Sequence, residues 1–420
     1  MANNILNHMA SREFFLNADF DAVLRGGPSL LDTTDATYLH EMAWHYLFAG
    51  TPGDSLIVHR PLPGDFLAYL SAKGMEPPRQ VLHPGLTPDS TFMPFGWNAQ
   101  SESLSLRYAE PPPHPDLRIV KIANSRAFSL EIERDLIGEE HPEGGHLFVT
   151  LPALEGFLAL RSEPLGWVVK GDHGHAGTAN LRVPSGPPSG ENRARLVSLF
   201  RDHGRVVAEP WQERLLDMSV SFRVGKLGMM SGFRGHALLN SRDGAFLGVK
   251  ILPSHRPPEP WDEPLEASAG ELAKVLDALG YYGPVGVDAY VWNSPQGPKL
   301  RTIVDINARL SMALPAHGLA DRLPGKTLLW MWSKPRKLNL PFVSEVSEGN
   351  VYNNPYTAFD AVLGRHAFDP VTCNGILAVS PLALPEGQVR PKRTGFLFSA
   401  DDEAGLGKLQ AAFSRSLGRA

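Results

Sequence analysis

A single cysteine, Cys373, in 420 residues leaves no partner for an intrachain disulfide and excludes a four-thiolate zinc site. That usage suits a reducing compartment. The chain has no run approaching about 18 uninterrupted apolar residues. Met1 to Phe20 carries Asn, His, Arg and Asp where a secretory leader has a basic start and an apolar core. The expectation is a soluble, cytoplasmic protein without a membrane partner. Excess charge is missing too: a net charge of -5 and a pI near 6.3 give no electrostatic reason to bind nucleic acid. No repeat or low-complexity tract stands out. What remains is ordinary globular composition, 43% hydrophobic and 20% charged, in a chain long enough for about two to four compact units.

The first third alternates short apolar runs with helical patterns. Ser55–His59, Gly64–Ala72 and Gln80–His83 read as strand, helix and strand, the βαβ rhythm of an open α/β domain. After Pro111-Pro112-Pro113, the apolar stretch Leu117–Ile122 reads as another short strand. Pro184, Pro187 and Pro188 among Ser and Gly mark a loop. From Gly166 onward strands dominate, with Val206–Ala208, Val220–Val224 and Phe246–Ile251 as examples. Ala267–Leu279 then places Leu272, Val275, Leu276 and Leu279 on one helical face, with Gly280 where a helix-ending glycine belongs. Val285–Trp292 and Leu300–Ile306, joined by Asn293-Ser294-Pro295-Gln296-Gly297, read as a hairpin. A C-terminal α+β unit follows, with strands at Gly375–Val379 and Gly395–Ser399 and a helix at Asp402–Leu417.

Two stretches carry chemistry. Trp167-Val168-Val169-Lys170 is an apolar strand ending in a lysine, and Gly171-Asp172-His173-Gly174-His175-Ala176-Gly177-Thr178 is a glycine-rich turn. Together they offer a cation and approachable backbone N–H groups to phosphate oxygens. An ordinary hairpin turn would have the same composition. The P-loop pattern is excluded, because the lysine precedes the glycines and no Gly-Lys-Ser/Thr closes the loop. The second stretch pairs Val285-Gly286-Val287-Asp288 with Thr302-Ile303-Val304-Asp305-Ile306-Asn307-Ala308-Arg309. Strand alternation puts Asp305, Asn307 and Arg309 on one face, and Val304 and Ile306 on the other. If Asp288 neighbours them on an antiparallel strand, two carboxylates and an amide oxygen meet as hard ligands for Mg²⁺. A solvated sheet face is the alternative for the second stretch alone.

With both stretches present in this order, the sequence resembles the ATP-grasp superfamily from about Lys121 to Ser311. The resemblance implies an ATP-grasp fold of the α/β and α+β classes: an N-terminal open α/β domain (1–125), a linker and small β-rich lid (126–212), a core antiparallel sheet with helices (213–340) and the C-terminal unit (341–420). It implies that Lys170, Gly171, Gly174, His175 and Gly177 cover the nucleotide phosphates. It implies a hinge at Val206-Val207-Ala208-Glu209-Pro210-Trp211, with Glu209 and backbone near Trp211 on the adenine. Asp217, eight residues after Glu209, falls at the ribose position. Asp288, Asp305 and Asn307 match the metal ligands, Arg309 the cation on the transferring phosphoryl group, and Arg126 a second phosphate cation. The family more often has Lys at the position of Arg126 and Glu at that of Asp305. ATP and Mg²⁺, with Mn²⁺ as the alternative ion, are the implied cofactors. Lys170 and Arg309 are the implied catalytic pair, and small-molecule carboxylate and amine substrates the implied partners. The implied reaction is ADP-forming ligation through an acylphosphate. An ATP-grasp kinase, a carboxylate-thiol ligase or a nucleotide-binding regulatory protein would share the nucleotide residues.

Other residues have plainer readings. His173 and His175 read as solvated loop residues, Arg223, Arg234 and Lys250 as exposed strand cations, Trp330 and Trp332 as core, and Cys373 as an incidental thiol.

Overall fold

In the computed structural model, the structure describes residues 11–27, 37–85, 89–137, 144–174, 179–241, 244, 246–334, 338, 354–384 and 391–418. Three sheets follow one another along the chain. The first is parallel, with β1 (Arg12–Phe15), β2 (Ser55–Ile57), β3 (Arg79–Val81) and β4 (Thr91–Pro94) in the order β3-β2-β1-β4. Phe14 faces the main core while Phe15, Ile57, Val81 and Phe92 fill the opposite face, so both sides are buried, as parallel sheets require. The helix Gly64–Ala72 makes the crossover from β2 to β3.

Leu117–Ala123 is a helix, not the strand its apolar run suggests. The Asp116 carboxylate accepts from the Arg118 N–H and starts the first turn, and Val120 and Ala123 are buried three residues apart. Capping and the period-three burial outweigh the β-branched composition.

The second sheet is antiparallel and small: β5 (His146–Phe148), β6 (Trp167–Gly171), β7 (Asn180–Val183) and β8 (Val206–Pro210), in the order β5-β8-β6-β7. The helices Leu151–Leu160 and Gly190–His203 cover one face and close a separate core of Leu154, Leu158, Trp167, Val169, Leu196, Val206 and Ala208. Ser189 caps the second helix, which follows directly on the proline-rich loop.

The third sheet has eight antiparallel strands: β9 (Arg214–Val224), β10 (Met230–Asn240), β11 (Phe246–Ile251), β12 (Gly283–Ser294), β13 (Gly297–Asn307), β14 (Thr327–Ser333), β15 (Gly375–Ala378) and β16 (Thr394–Ala400). Their order is β13-β12-β9-β10-β11-β14-β16-β15. The helix Asp262–Leu279 buries Leu265, Leu272 and Leu276 against one face, and Gly280, at φ 93°, ends it. The C-terminal strands extend this sheet through β14 and β16, and the helix Glu403–Leu417 packs Phe413 on Phe396 and Phe398. The first and third sheets share one continuous core, whereas the small sheet has its own.

Candidate nucleotide and metal site

The hairpin β12–β13 sets Asp288 directly opposite Asp305, and Gly286 opposite Asn307. On the other side of β12, Asp288 faces Ser219 of β9, and Ser219 faces His236 of β10. Asp305, Asp288, Ser219 and His236 therefore form one row across four strands, and all four line a single cleft. Directly opposed residues lie about 4.5–5.5 Å apart. The row thus places two carboxylates within reach of one ion. Burial, and then the neighbouring charge of Asp305, push the Asp288 carboxyl up to about 6.

The expected alternation holds only near the end of β13. Between the Asp288–Asp305 and Tyr290–Arg301 pairs, β12 advances two residues while β13 advances four. The bulge turns Val304 onto the cleft wall beside Tyr290, while Ile306 enters the core as expected.

Lys170 ends β6 and reaches the same cleft. Its Nζ lies 2.8 Å from Glu209 Oε2, with both side chains buried. Glu209 also accepts from Arg301 Nη2 at 3.1 Å, and Arg301 Nη2 donates to Glu133 Oε2 at 2.6 Å. Arg301 Nη1 adds a hydrogen bond to the Tyr290 hydroxyl. The Arg301 and Lys170 charges hold the Glu209 carboxyl far below its ordinary range against the opposing effect of burial. This chain of charges ties the small sheet to β13 and to the helix Arg126–Ile137.

Arg126, at the start of that helix, donates from Nε to Asp305 Oδ1 at 3.1 Å and from Nη1 to the Gly171 carbonyl. The close approach explains a glycine: a Cβ on Gly174 would lie 2.8 Å from Ala179 Cβ and 3.3 Å from Arg126 Nη1. Arg309, just past β13, donates from Nη2 to Asn307 Oδ1 at 2.8 Å and lies 3.6 Å from Asp21 Oδ2. Its guanidinium sits 4.8 Å from the Phe95 ring centroid, and its buried Nε has no partner among the described residues.

Of the residues expected from sequence, Arg126, Lys170, Gly174, Asp217, Asp288, Asp305, Asn307 and Arg309 line the cleft together. Gly171 and Glu209 stand behind Arg126 and Lys170 as their partners. The Trp211 N–H is occupied by the Gly166 carbonyl, and its ring lies 4.4 Å from the Arg182 guanidinium. Asp217 pairs with Arg214 at 2.8 Å. His175 and Gly177 lie outside the described residues. His173 is not solvated: it is buried, within 3.3 Å of the Asn124 carbonyl and 3.4 Å of Asp172, because the turn folds back onto the helix Arg126–Ile137. Trp332 is buried as expected but also lines the cleft. Arg234 and Lys250 pair with Asp321 and Glu403. Sequence reasoning missed Asp21, His236, Arg301 with Glu133, and Arg393. None stands in a recognisable motif, and only the fold brings them in.

Among the described residues no group of three or more His, Cys, Asp or Glu could hold a metal. The Asp288, Asp305 and Asn307 set has two carboxylates and an amide oxygen. Its chemistry fits a hard cation, since a divalent ion would offset the burial of the Asp288 carboxylate and its repulsion by Asp305, which together raise the Asp288 carboxyl to about 6.

No family model matches the sequence, and no curated protein matches it. Solved structures do match in shape. N5-carboxyaminoimidazole synthetase from Staphylococcus aureus aligns at 12% identity and a TM-score of 0.52, over 99% of this chain and 100% of that one. Its complex with ADP gives 11% and 0.51, over 96% and 97%. Phosphoribosylamine–glycine ligase from Thermotoga maritima gives 11% and 0.50, over 97% of each chain. These likenesses cover 96–99% of this chain, and the chain has the ATP-grasp fold.

Proposed function

We propose that this protein is an ATP-dependent ligase that activates a carboxylate as an acylphosphate and joins it to an amine, releasing ADP and phosphate. The observation that carries this reading is the convergence of Lys170, Arg126 and Arg309 with Asp288, Asp305 and Asn307 on one cleft. The structural neighbours named above include carboxylate-amine ligases and an ADP complex, which supports the same reading. Asp288, Asp305 and Asn307 would hold Mg²⁺, which supplies charge neutralisation to the nucleotide phosphates when bound.

In the proposed reaction, a carboxylate oxygen attacks the γ-phosphorus and the bond to ADP breaks. The amine nitrogen then attacks the acyl carbon, phosphate leaves with its electron pair, and the nitrogen loses a proton. Lys170 and Arg126 offset negative charge on the phosphates, and Arg309 binds the transferring group or the carboxylate beside it. The work is positioning and electrostatic stabilisation, with no protein nucleophile. A screen of paired acids and amines for ADP release, with mass spectrometry of the products, tests it. ATP binding without ADP release for any pair refutes a ligase, and a phosphorylated or thioester product reassigns the reaction.

A further inference from the structure

The cleft continues past the carboxylate row toward the first sheet. There it is lined by Met42 from the helix Thr37–His45, Leu238 of β10, Phe246 of β11, Met312, Trp332 of β14, and Arg393 just before β16. Ring contacts tie this lobe together: Phe246 meets Trp332 edge-on at 5.4 Å, and the Arg393 guanidinium lies 5.1 Å from the Trp332 ring. Two side chains in it, Trp332 and Arg393, offer polar groups to a ligand. The Trp332 indole N–H is buried without a hydrogen bond among the described residues. Glu41 feels the charge of Arg393, yet no carboxylate among the described residues pairs with that guanidinium.

Distance decides which substrate this lobe serves. In the order β12-β9-β10-β11-β14, Trp332 lies four strands from Asp288. At about 4.8 Å per strand, that is roughly 19 Å across the sheet. A carboxylate being activated must sit within a few ångströms of the γ-phosphate, so a carboxylate seated on Arg393, beside Trp332, is not the reacting one. Leu238, two strands from Asp288 at roughly 10 Å, gives the lobe a near wall from which an amine nitrogen can reach the acyl carbon while the rest of its substrate extends toward Trp332.

We infer that the amine substrate is an apolar α-amino acid, its side chain packed on Met42, Leu238, Phe246 and Trp332 and its carboxylate on Arg393. The inference rests on the ligase reading above. A lobe of this composition leaves a sugar or a polyhydroxylated amine with unpaired hydroxyls against apolar walls. An amino acid that matches both the walls and the cation satisfies each.

Titration calorimetry with L-leucine, L-leucinamide and glycine, in the presence of ADP and Mg²⁺, tests it. L-Leucine binds at least about tenfold more tightly than either of the others, the leucinamide lacking the anion and glycine the side chain. Arg393→Gln removes the preference for leucine over leucinamide, and Phe246→Ala reduces that for leucine over glycine. Equal binding of all three to the unmutated protein overturns the inference without recourse to any variant. ADP release with hydroxylamine as a minimal amine, scored over the acid panel, separates the two readings. Release accompanied by equal binding of the three amines removes only the lobe assignment, whereas no release with any acid overturns the ligase and the amine site with it.

Discussion

Replacing Arg301 by Met tests the charge chain that ties the small sheet to the core. Arg301 is 1% exposed and is shared between Glu133, at 2.6 Å, and Glu209, at 3.1 Å. The substitution leaves Glu209 its bond to Lys170 but strips the buried Glu133 carboxylate of its cation. Breaking a buried pair by removing one partner costs about 3–5 kcal/mol, because the remaining charge stays desolvated. Arg301→Met therefore loses about that much stability. Adding Glu133→Leu restores most of it, since an apolar replacement of a buried pair is close to neutral or stabilising. The loss in the single variant shrinks at lower pH, where a protonated carboxyl is cheaper to bury than a carboxylate. Urea unfolding of the nucleotide-free protein, followed by tryptophan fluorescence at two pH values, gives all three quantities from the first transition. A loss below about 1 kcal/mol, the range of exposed pairs, or a double variant no more stable than the single, refutes the reasoning.

Further outcomes follow from other parts of the structure. Lys170→Ala and Asp305→Ala each lower ADP release at least about 100-fold while circular dichroism stays unchanged, since the first removes a cation proposed to offset phosphate charge and the second a proposed Mg²⁺ ligand. A proton on Asp288, held up to about 6, competes with a divalent ion, so apparent Mg²⁺ affinity weakens as pH falls through 6 and levels off above it. Mg²⁺ titrations at pH 5.5 and 7.5 in the same buffer check that sign. Burial lowers His45 to about 3 and His236 to about 4, so below 6.5 the unfolded chain binds protons that the folded one does not. Stability therefore falls as pH drops from 6.5 toward 4, by up to roughly 1.4 kcal/mol per pH unit for each group. A urea midpoint that stays flat between pH 7.5 and 5 contradicts this. Gly318→Ala destabilises despite alanine's higher helix propensity, because a Cβ there would lie 1.8 Å from the Phe48 carbonyl oxygen. Overpacking of about 1–3 kcal/mol outweighs a propensity gain of about 1 kcal/mol, as an unfolding midpoint would show.

Local pattern made several elements legible. The helix Gly64–Ala72 and the hairpin β12–β13 each declare themselves over a few residues, by period and by turn chemistry. Leu117–Ile122 misled because six residues are too few for periodicity to separate a half-buried helix from a strand. There the decisive signal was Asp116 as a cap. The bulge in β13 was illegible for a different reason: a two-residue register shift depends on what the partner strand presents, and Thr302-Ile303-Val304 carries no glycine or proline to announce it.

The side chains of the candidate site divide along the same line. Lys170, Asp288, Asp305, Asn307 and Arg309 could be named from sequence because each stands at a strand end or on one face of a readable strand. Arg301 could not, since its value comes from Glu133 and Glu209, 168 and 92 residues away in the chain. Trp332 shows the limit most plainly. Leu328 to Trp332 is apolar on both faces, as any central strand would be, and nothing in that run distinguishes the tryptophan that faces a cleft from the one that fills a core. The distinction comes from Met42 and Arg393, which come from opposite ends of the chain and line the cleft beside Trp332. On the proposed reading, the nucleotide contacts are local and motif-borne, and substrate choice is assembled from distant segments. Substitutions at Met42, Phe246 or Arg393 should accordingly shift the preference among amines in the proposed reaction while leaving the proposed nucleotide ligands in place.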